Sequence, residues 1–443
     1  MISRSNPENG KVDGAATIAK VTSRLAPFLI ACFFAAYLDR VNIGFAALTM
    51  NKELGFSPQV FGLGAGIFFV GYCLLEAPSN YILHRVGARL WIARIMVSWG
   101  FISALTSLVW NEASFLTLRL VLGAAEAGFA PGVILYLTYW IPAEHRGRSL
   151  GAFLVAIPLS TVIGAPLSGL TLTSLDGALG VSGWRWLFIV EAIPTILLGI
   201  AAFFFLTDRP GDASWLTTQE RDWLQDTLES ERAEYGGEPT VGQTLRDPRV
   251  LGLGIVYFGV VAALYGLGFW LPQLVGDFGF GPALTGVVTA IPYACGAVAM
   301  IFWSRSSDRS GERARHTAAA AALAAASIAL AACVKSPALS IAAFSLASIG
   351  TLAAMPPFWA LPTNFLSGAS AAVGIAVINS IGNVAGFAGP YLVGWLKGDG
   401  EGYSTALLAL ACGPLMSALL VLWIAREVHP GPGMIDARAS SPN

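Results

Sequence analysis

Long apolar blocks separated by short polar turns run along most of this chain. The apolar residues neither alternate at the two-residue period of a half-buried strand nor form the one-sided stripe of a surface helix. Most blocks reach about 20 residues, the length a helix needs to cross the hydrocarbon of a bilayer. The pattern predicts twelve spans, at 25–48, 58–83, 88–110, 113–140, 148–174, 184–206, 250–275, 283–304, 314–334, 338–361, 369–396 and 403–425. Blocks this long and continuous are not barrel strands, which are shorter and alternate. Helices satisfy their own backbone groups in lipid, so the predicted class is an all-α membrane protein.

One polar stretch, 207–249, divides the spans into a bundle at 25–206 and a bundle at 250–426, with tails at 1–24 and 427–443. Within it, Thr217-Thr218-Gln219-Glu220 has the form of a capping box opening a short helix. Trp223, Leu224 and Leu228 then give that helix an apolar stripe, predicted to lie on the membrane surface. If both termini face the cytoplasm, the inner side holds 20 of the 26 Lys and Arg residues. Lys52, Arg185, Lys335 and Lys397 are left outside, the asymmetry expected of that orientation.

Composition narrows the function. Charged residues make up 12% of the chain, against about 25% in soluble domains, so large polar surfaces cannot be covered. A net charge of −1 gives no field for nucleic acid. The five cysteines, Cys32, Cys73, Cys295, Cys333 and Cys412, fall in apolar blocks without paired spacing and read as buried thiols. No phosphate loop, His-Glu-x-x-His run or Gly-x-Ser-x-Gly elbow occurs, so the chain does not read as an enzyme. With four histidines, neither a transition-metal site nor a cofactor is expected.

The two bundles echo one another. His84-Arg85-Val86-Gly87-Ala88-Arg89 follows span 2, and Asp308-Arg309-Ser310-Gly311-Glu312-Arg313 follows span 8. Gly164-Ala165-Pro166 with Gly169 in span 5 is matched by Gly389-Pro390 with Gly394 in span 11. Two motif pairs six spans apart indicate duplication of a six-helix unit, with a site between the halves near the midplane.

Charged residues lie well inside the spans of the first half: Asp39, Arg40, Glu76, Arg119, Glu126 and Glu191. Each costs about 2.5–3.5 kcal/mol at a helix centre, so they must pair, neutralise or line a wet cavity. Asp39 and Arg40 point about 100° apart, so only one faces the centre squarely. The expected arrangement has Arg40 facing the cavity and Asp39 turned toward span 4 and Arg119. Glu76 and Glu191 read as structural. The second half offers only neutral groups, Tyr265, Trp359, Asn379 and Asn383, for shape and hydrogen bonding.

These motifs resemble the major facilitator superfamily, and within it the anion:cation symporter family. The loop after span 2 and its copy after span 8 carry the wider resemblance. Tyr37-Leu38-Asp39-Arg40-Val41-Asn42-Ile43-Gly44 and Arg119 through Gly128 carry the narrower one. Phe358-Trp359-Ala360-Leu361-Pro362 and Ile378 through Asn383 are similar to bacterial tartrate, phthalate and hydroxyphenylacetate permeases.

The resemblance implies two pseudo-symmetric six-helix bundles and proton-coupled uptake of a small organic carboxylate by alternating access. It implies that Asp39 and Glu126 carry protons, that Arg40 contacts the substrate anion, and that Arg119 pairs with the span 1 carboxylate. Tyr37, Tyr72, Trp359 and Asn379 match substrate-lining positions, with Asn383 one turn beyond. Arg85, Gly87, Arg89, Asp308, Arg309, Gly311 and Arg313 form the gating loops. His84 departs from the family, which has an acidic residue there. Ile157-Pro158 replaces a polar residue of sugar-acid members, which implies a smaller or aromatic carboxylate. The expected partners are the organic anion, protons and lipid, and the expected oligomeric state is a monomer. The rival readings are antiport or efflux of an organic anion, and a non-transporting membrane sensor.

Overall fold

The computed structural model describes residues 12–234, 246–364, 366, 368–398, 400 and 402–428. The expected tails up to residue 11 and beyond 428, and linker residues 235–245, lie outside the described residues. Among those described, twelve helical stretches are long and apolar enough to cross a membrane, so the chain is an integral multi-pass membrane protein.

The first half comprises α1 (Gly14–Leu54), α2 (Pro58–Val86), α3 (Ala88–Leu105), α4 (Glu112–Glu126), α5 (Phe129–Thr138), α6 (Ala143–Ser174) and α7 (Gly183–Phe205). A linker helix, α8 (Thr218–Glu234), precedes the second half. That half comprises α9 (Pro248–Gly276), α10 (Pro282–Ser310), α11 (Arg313–Cys333), α12 (Pro337–Trp359), α13 (Gly368–Lys397) and α14 (Ser404–Val428). The predicted spans match these helices, except that span 4 is divided between α4 and α5. Where a helix such as α1 is longer, its ends extend past the hydrocarbon. The outward face is apolar, with Leu74, Phe204, Phe302, Leu419 and Trp423 each more than half exposed, as lipid contact requires. The cysteines depart in part from expectation: Cys32 is buried, but Cys333 and Cys412 lie on the surface.

Packing repeats between halves. Helix α1 packs on α6 and α7, and its counterpart α9 packs on α13 and α14. The pairs α2–α4 and α3–α7 recur as α10–α12 and α11–α14. The main contacts across the halves, α2 on α13 and α6 on α10, are also related by the repeat. Small residues make them. A Cβ on Gly62 would lie 2.8 Å from the Pro390 carbonyl, and one on Gly286 would lie 2.3 Å from the Ala165 carbonyl. With Gly44 against Phe269 and Gly276 against Leu48, these contacts draw the halves together toward the end bearing the α1–α2 turn.

The linker helix begins with the expected capping box. The Thr217 N–H donates to Glu220 at 2.8 Å, and the Glu220 N–H donates to the Thr217 hydroxyl at 3.2 Å. Its stripe is not laid on lipid, however. Leu224 and Leu228 are buried within the protein, and Trp223 packs against Gly14 at the start of α1. Lys20 binds Glu220 at 2.8 Å on the same seam. The apolar stripe found a protein face first.

Two outcomes follow. Valine at Gly123 would place a Cβ 1.8 Å from the Phe68 carbonyl, forcing α2 and α4 apart. We expect a loss of about 1–3 kcal/mol, read as a lower unfolding midpoint in detergent, and an unchanged midpoint would refute this close approach. Lys20, then the Thr217 amide, holds the Glu220 carboxyl below its ordinary range. A depressed value stabilises docking above the unfolded value and is lost as pH falls through the folded one. Spin labels on α1 and α8 should therefore separate on acidification from neutral pH, and Glu220→Gln should abolish that change.

Candidate functional site

The centre of the molecule is a guanidinium enclosed by rings. Arg40 lies with its Cζ 5.4 Å from the Tyr37 ring, 5.3 Å from Phe68, 5.9 Å from Phe69, 5.5 Å from Tyr72 and 6.0 Å from Tyr265. Four rings come from α1 and α2, and the fifth reaches over from α9. Arg40 Nη1 donates to the Tyr265 hydroxyl at 2.8 Å, and the Tyr37 hydroxyl donates to the same oxygen at 3.2 Å. Arg40 Nη2 pairs with Glu126 Oε1. Arg40 Nε is buried with no hydrogen-bond partner. A cation held by aromatic faces and one carboxylate keeps one N–H donor unused.

Glu126 owes its position to a broken helix. It is the last residue of α4; Ala127 is extended, and Gly128 sits at φ +84° before α5 begins. A residue with a side chain would be strained at Gly128, where a Cβ would also lie 2.4 Å from the Ser79 hydroxyl. Discontinuous helices near the midplane are where membrane carriers bind ions and substrates. Sequence reading missed this break, for which the glycine was the one signal.

Asp39 is not where it was expected. It is 1% exposed and faces α3 and α7 rather than α4. Its Oδ2 accepts from Trp99 Nε1 at 2.8 Å and from the Thr195 hydroxyl at 2.7 Å, while Oδ1 has no partner. Arg119 therefore does not pair with the α1 carboxylate. Its Nε donates to the Gly64 carbonyl at 3.0 Å, and its Cζ stands 5.0 Å from the Phe68 ring. The physical reason is helix rotation: Arg40 and Asp39 diverge by about 100°, and Arg40 takes the direction toward α4. Glu126, not Asp39, receives the arginine. Trp99 and Thr195 are the Asp39 partners that sequence reading missed.

Glu76 was read as structural, yet it stands at the centre. Asn379 Nδ2 lies 3.3 Å from Glu76 Oε1, and Asn383 Nδ2 lies 3.4 Å from Glu76 Oε2, across the two halves. Both asparagines thus reach the expected region, with a carboxylate already on them. Trp359 closes α12, edge-on to Tyr257 at 4.8 Å. Glu191 is buried among helices and bound to the Ser168 hydroxyl at 2.6 Å, in keeping with a structural role.

The loop motifs differ between copies. Gly87 has φ +98°, and the Arg89 N–H donates to Asp208 Oδ1 at 2.8 Å, so the linker supplies an acid where His84 replaces one. His84 itself lies 3.1 Å from the Tyr139 hydroxyl, and Arg85 stacks 4.5 Å from the Tyr81 ring. In the second copy Gly311 has φ +70° and Asp308 pairs with Arg313. Arg309 occupies the last turn of α10. At the opposite end a vestibule of about 740 Å³ lies between the halves, lined in part by Lys52, Glu53, Gln273, Asp277 and Lys397.

Comparison with known proteins agrees with this architecture. Residues 29–390 match the family described as the Major Facilitator Superfamily. A protein of Agrobacterium vitis named "Putative tartrate transporter" is 48% identical over 96% of this chain and 94% of its own length. A "Quinolone resistance transporter" of Acinetobacter baumannii is 40% identical over 86% of this chain and 88% of its own length. The solved structure of a bacterial homolog of the human lysosomal transporter Spinster, inward-facing and occupied, superposes with a TM-score of 0.74. It covers 91% of this chain and 97% of that one at 17% identity, so the likeness is one of fold. The chain belongs to the Major Facilitator Superfamily and is a secondary transporter of that type, not an enzyme.

The Arg40–Glu126 pair makes a measurable claim. Arg40→Ala strands a buried carboxylate and should cost about 3–5 kcal/mol of stability. Adding Glu126→Gln removes the stranded charge, so the double variant should recover a large part of that loss. Additive losses in a double-mutant cycle of unfolding would show that the two do not interact.

Proposed function

We propose that this carrier takes up a small organic carboxylate with protons, by alternating access, with Arg40 as the anion anchor and Glu126 as the nearest proton acceptor. The supporting observation is the balance of charge around Arg40. Glu126 already neutralises it, and among the described residues Arg119 is the only other arginine within reach against three carboxylates, Asp39, Glu76 and Glu126. An additional anion adds to that negative excess. Burying it uncompensated costs several kcal/mol even after relaxation. Protonation of Glu126 frees Arg40 for the substrate and restores the balance. Asp39 is the second proton site, held by Trp99 and Thr195 behind the anchor.

Tyr37, Tyr72, Trp359, Asn379 and Asn383 shape the remainder of the pocket. The loops around Arg85, Gly87 and Arg89 and around Asp308, Arg309, Gly311 and Arg313 lock and release the bundles 25–206 and 250–426. The distribution of Lys and Arg supports cytoplasmic termini in a bacterial inner membrane. On that orientation the end bearing the α1–α2 turn, with its vestibule, is the outer one. The name of the 48% identical relative makes tartrate the first substrate to try. Phthalate and hydroxyphenylacetate come next, by family resemblance. A monomer suffices for this mechanism.

Efflux is the second reading, favoured by the name of the 40% identical relative. Proteoliposomes separate the two: an inside-alkaline gradient drives accumulation by a symporter and extrusion by an antiporter. For the symporter, Glu126→Gln and Asp39→Asn should each reduce gradient-driven accumulation of labelled tartrate at least about tenfold while sparing exchange. Arg40→Lys should weaken binding, because a bidentate fork becomes a point charge. Wild-type accumulation by either carboxylate variant would remove the coupling assignment.

A further inference from the structure

The amides of Asn379 and Asn383 stand one turn apart on α13, and each aims an N–H at a different oxygen of Glu76. Two converging N–H groups on the two oxygens of one carboxylate make a carboxylate seat, and here a side chain of the opposite half fills it. Glu76 in turn lies one turn, about 6 Å along the axis, from Tyr72, whose ring flanks Arg40 at 5.5 Å. The centre therefore holds two anion positions in line: the guanidinium, occupied by Glu126, and the amide pair, occupied by Glu76. Both occupants belong to the first half.

We propose that Glu76 is a resident stand-in for the substrate's second carboxylate, which makes the carrier selective for short dicarboxylates. This rests on the reading of Arg40 as the anion anchor. One substrate carboxylate meets Arg40; the other displaces Glu76 from Asn379 and Asn383. Arg40 on α1 and Tyr72 and Cys73 on α2 are the charged and titratable groups near Glu76, and α13 contributes the two neutral amides. Among the described residues Arg40 is the one cation acting on Glu76, and it holds the other substrate carboxylate, so Glu76 takes one proton from solvent as it leaves the seat. The balance is one carboxylate plus one proton giving one carboxylic acid. A monocarboxylate has nothing to place on the amides and leaves Glu76 seated.

The test is equilibrium binding of labelled tartrate, a dicarboxylate, and benzoate, a monocarboxylate, to full-length protein in detergent. Wild-type protein should bind tartrate more tightly as pH falls from about 8 to about 6, because protonation empties the seat. Glu76→Gln removes the resident charge, so it should bind tartrate roughly 3–10-fold more tightly at the higher pH and reduce that dependence to the one benzoate shows, which Glu126 sets. Asn383→Ala, with the seat halved, should weaken tartrate about tenfold, and Glu76→Gln should move benzoate no more than twofold. The proposal is overturned if Glu76→Gln weakens tartrate, leaves its pH dependence intact, or shifts both ligands alike. If Glu76→Gln does not fold, an equal effect of Asn383→Ala on tartrate and benzoate overturns it. Failure of the underlying reading looks different: Arg40→Lys would then bind both ligands as wild type does, or neither ligand would bind wild-type protein.

Discussion

A guanidinium cannot lie in the middle of a bilayer protein without something to answer its charge, and the rest of this structure is arranged around that requirement. Arg40 is answered by the Glu126 carboxylate, five aromatic faces and the Tyr265 hydroxyl. Tyr265 belongs to the second half, so the group that fixes the charge also ties the halves together. Anything that changes the charge of the pair changes a contact between two bodies that must move. In the proposed mechanism that contact is the physical link between ion chemistry and bundle motion.

Close helix approach makes the arrangement possible. Gly71 and Gly123 let α2 and α4 touch backbone to backbone, which sets Phe68 between Arg40 and Arg119 at 5.3 and 5.0 Å. The break at Ala127–Gly128 ends α4 at Glu126 and aims it at α1. On the other side, Gly62 and Gly394 bring α2 and α13 together at one end, and farther along the same pair of helices Glu76 meets Asn379 and Asn383. The halves share a folding pattern but not a chemistry. The first supplies the charges and four of the five rings around Arg40, and the second supplies Tyr265 and the two amides.

Much of the fold was legible because lipid imposes it. A chain with twelve apolar stretches and one polar interruption has few ways to satisfy its backbone in hydrocarbon. The repeated loop motifs located the duplication, and the described helices repeat their packing accordingly. The linker stripe was legible as amphipathic, but periodicity does not say what covers it; Leu224 and Leu228 went to protein rather than lipid. The partners of Glu76 were not legible because they lie some 300 residues away, in the other half.

The sequence by itself determined the helices, the two-fold plan and the presence of buried charge in the first half, since each follows from local hydropathy and the cost of charge in lipid. Which carboxylate meets which arginine was decided only by tertiary structure. Adjacent residues on a helix point about 100° apart, and a modest rotation of α1 gives either Asp39 or Arg40 to α4. Packing of α1 against α7, with the Trp99 indole reaching over from α3, gave Asp39 to Thr195 and Trp99, and so left Arg40 to Glu126.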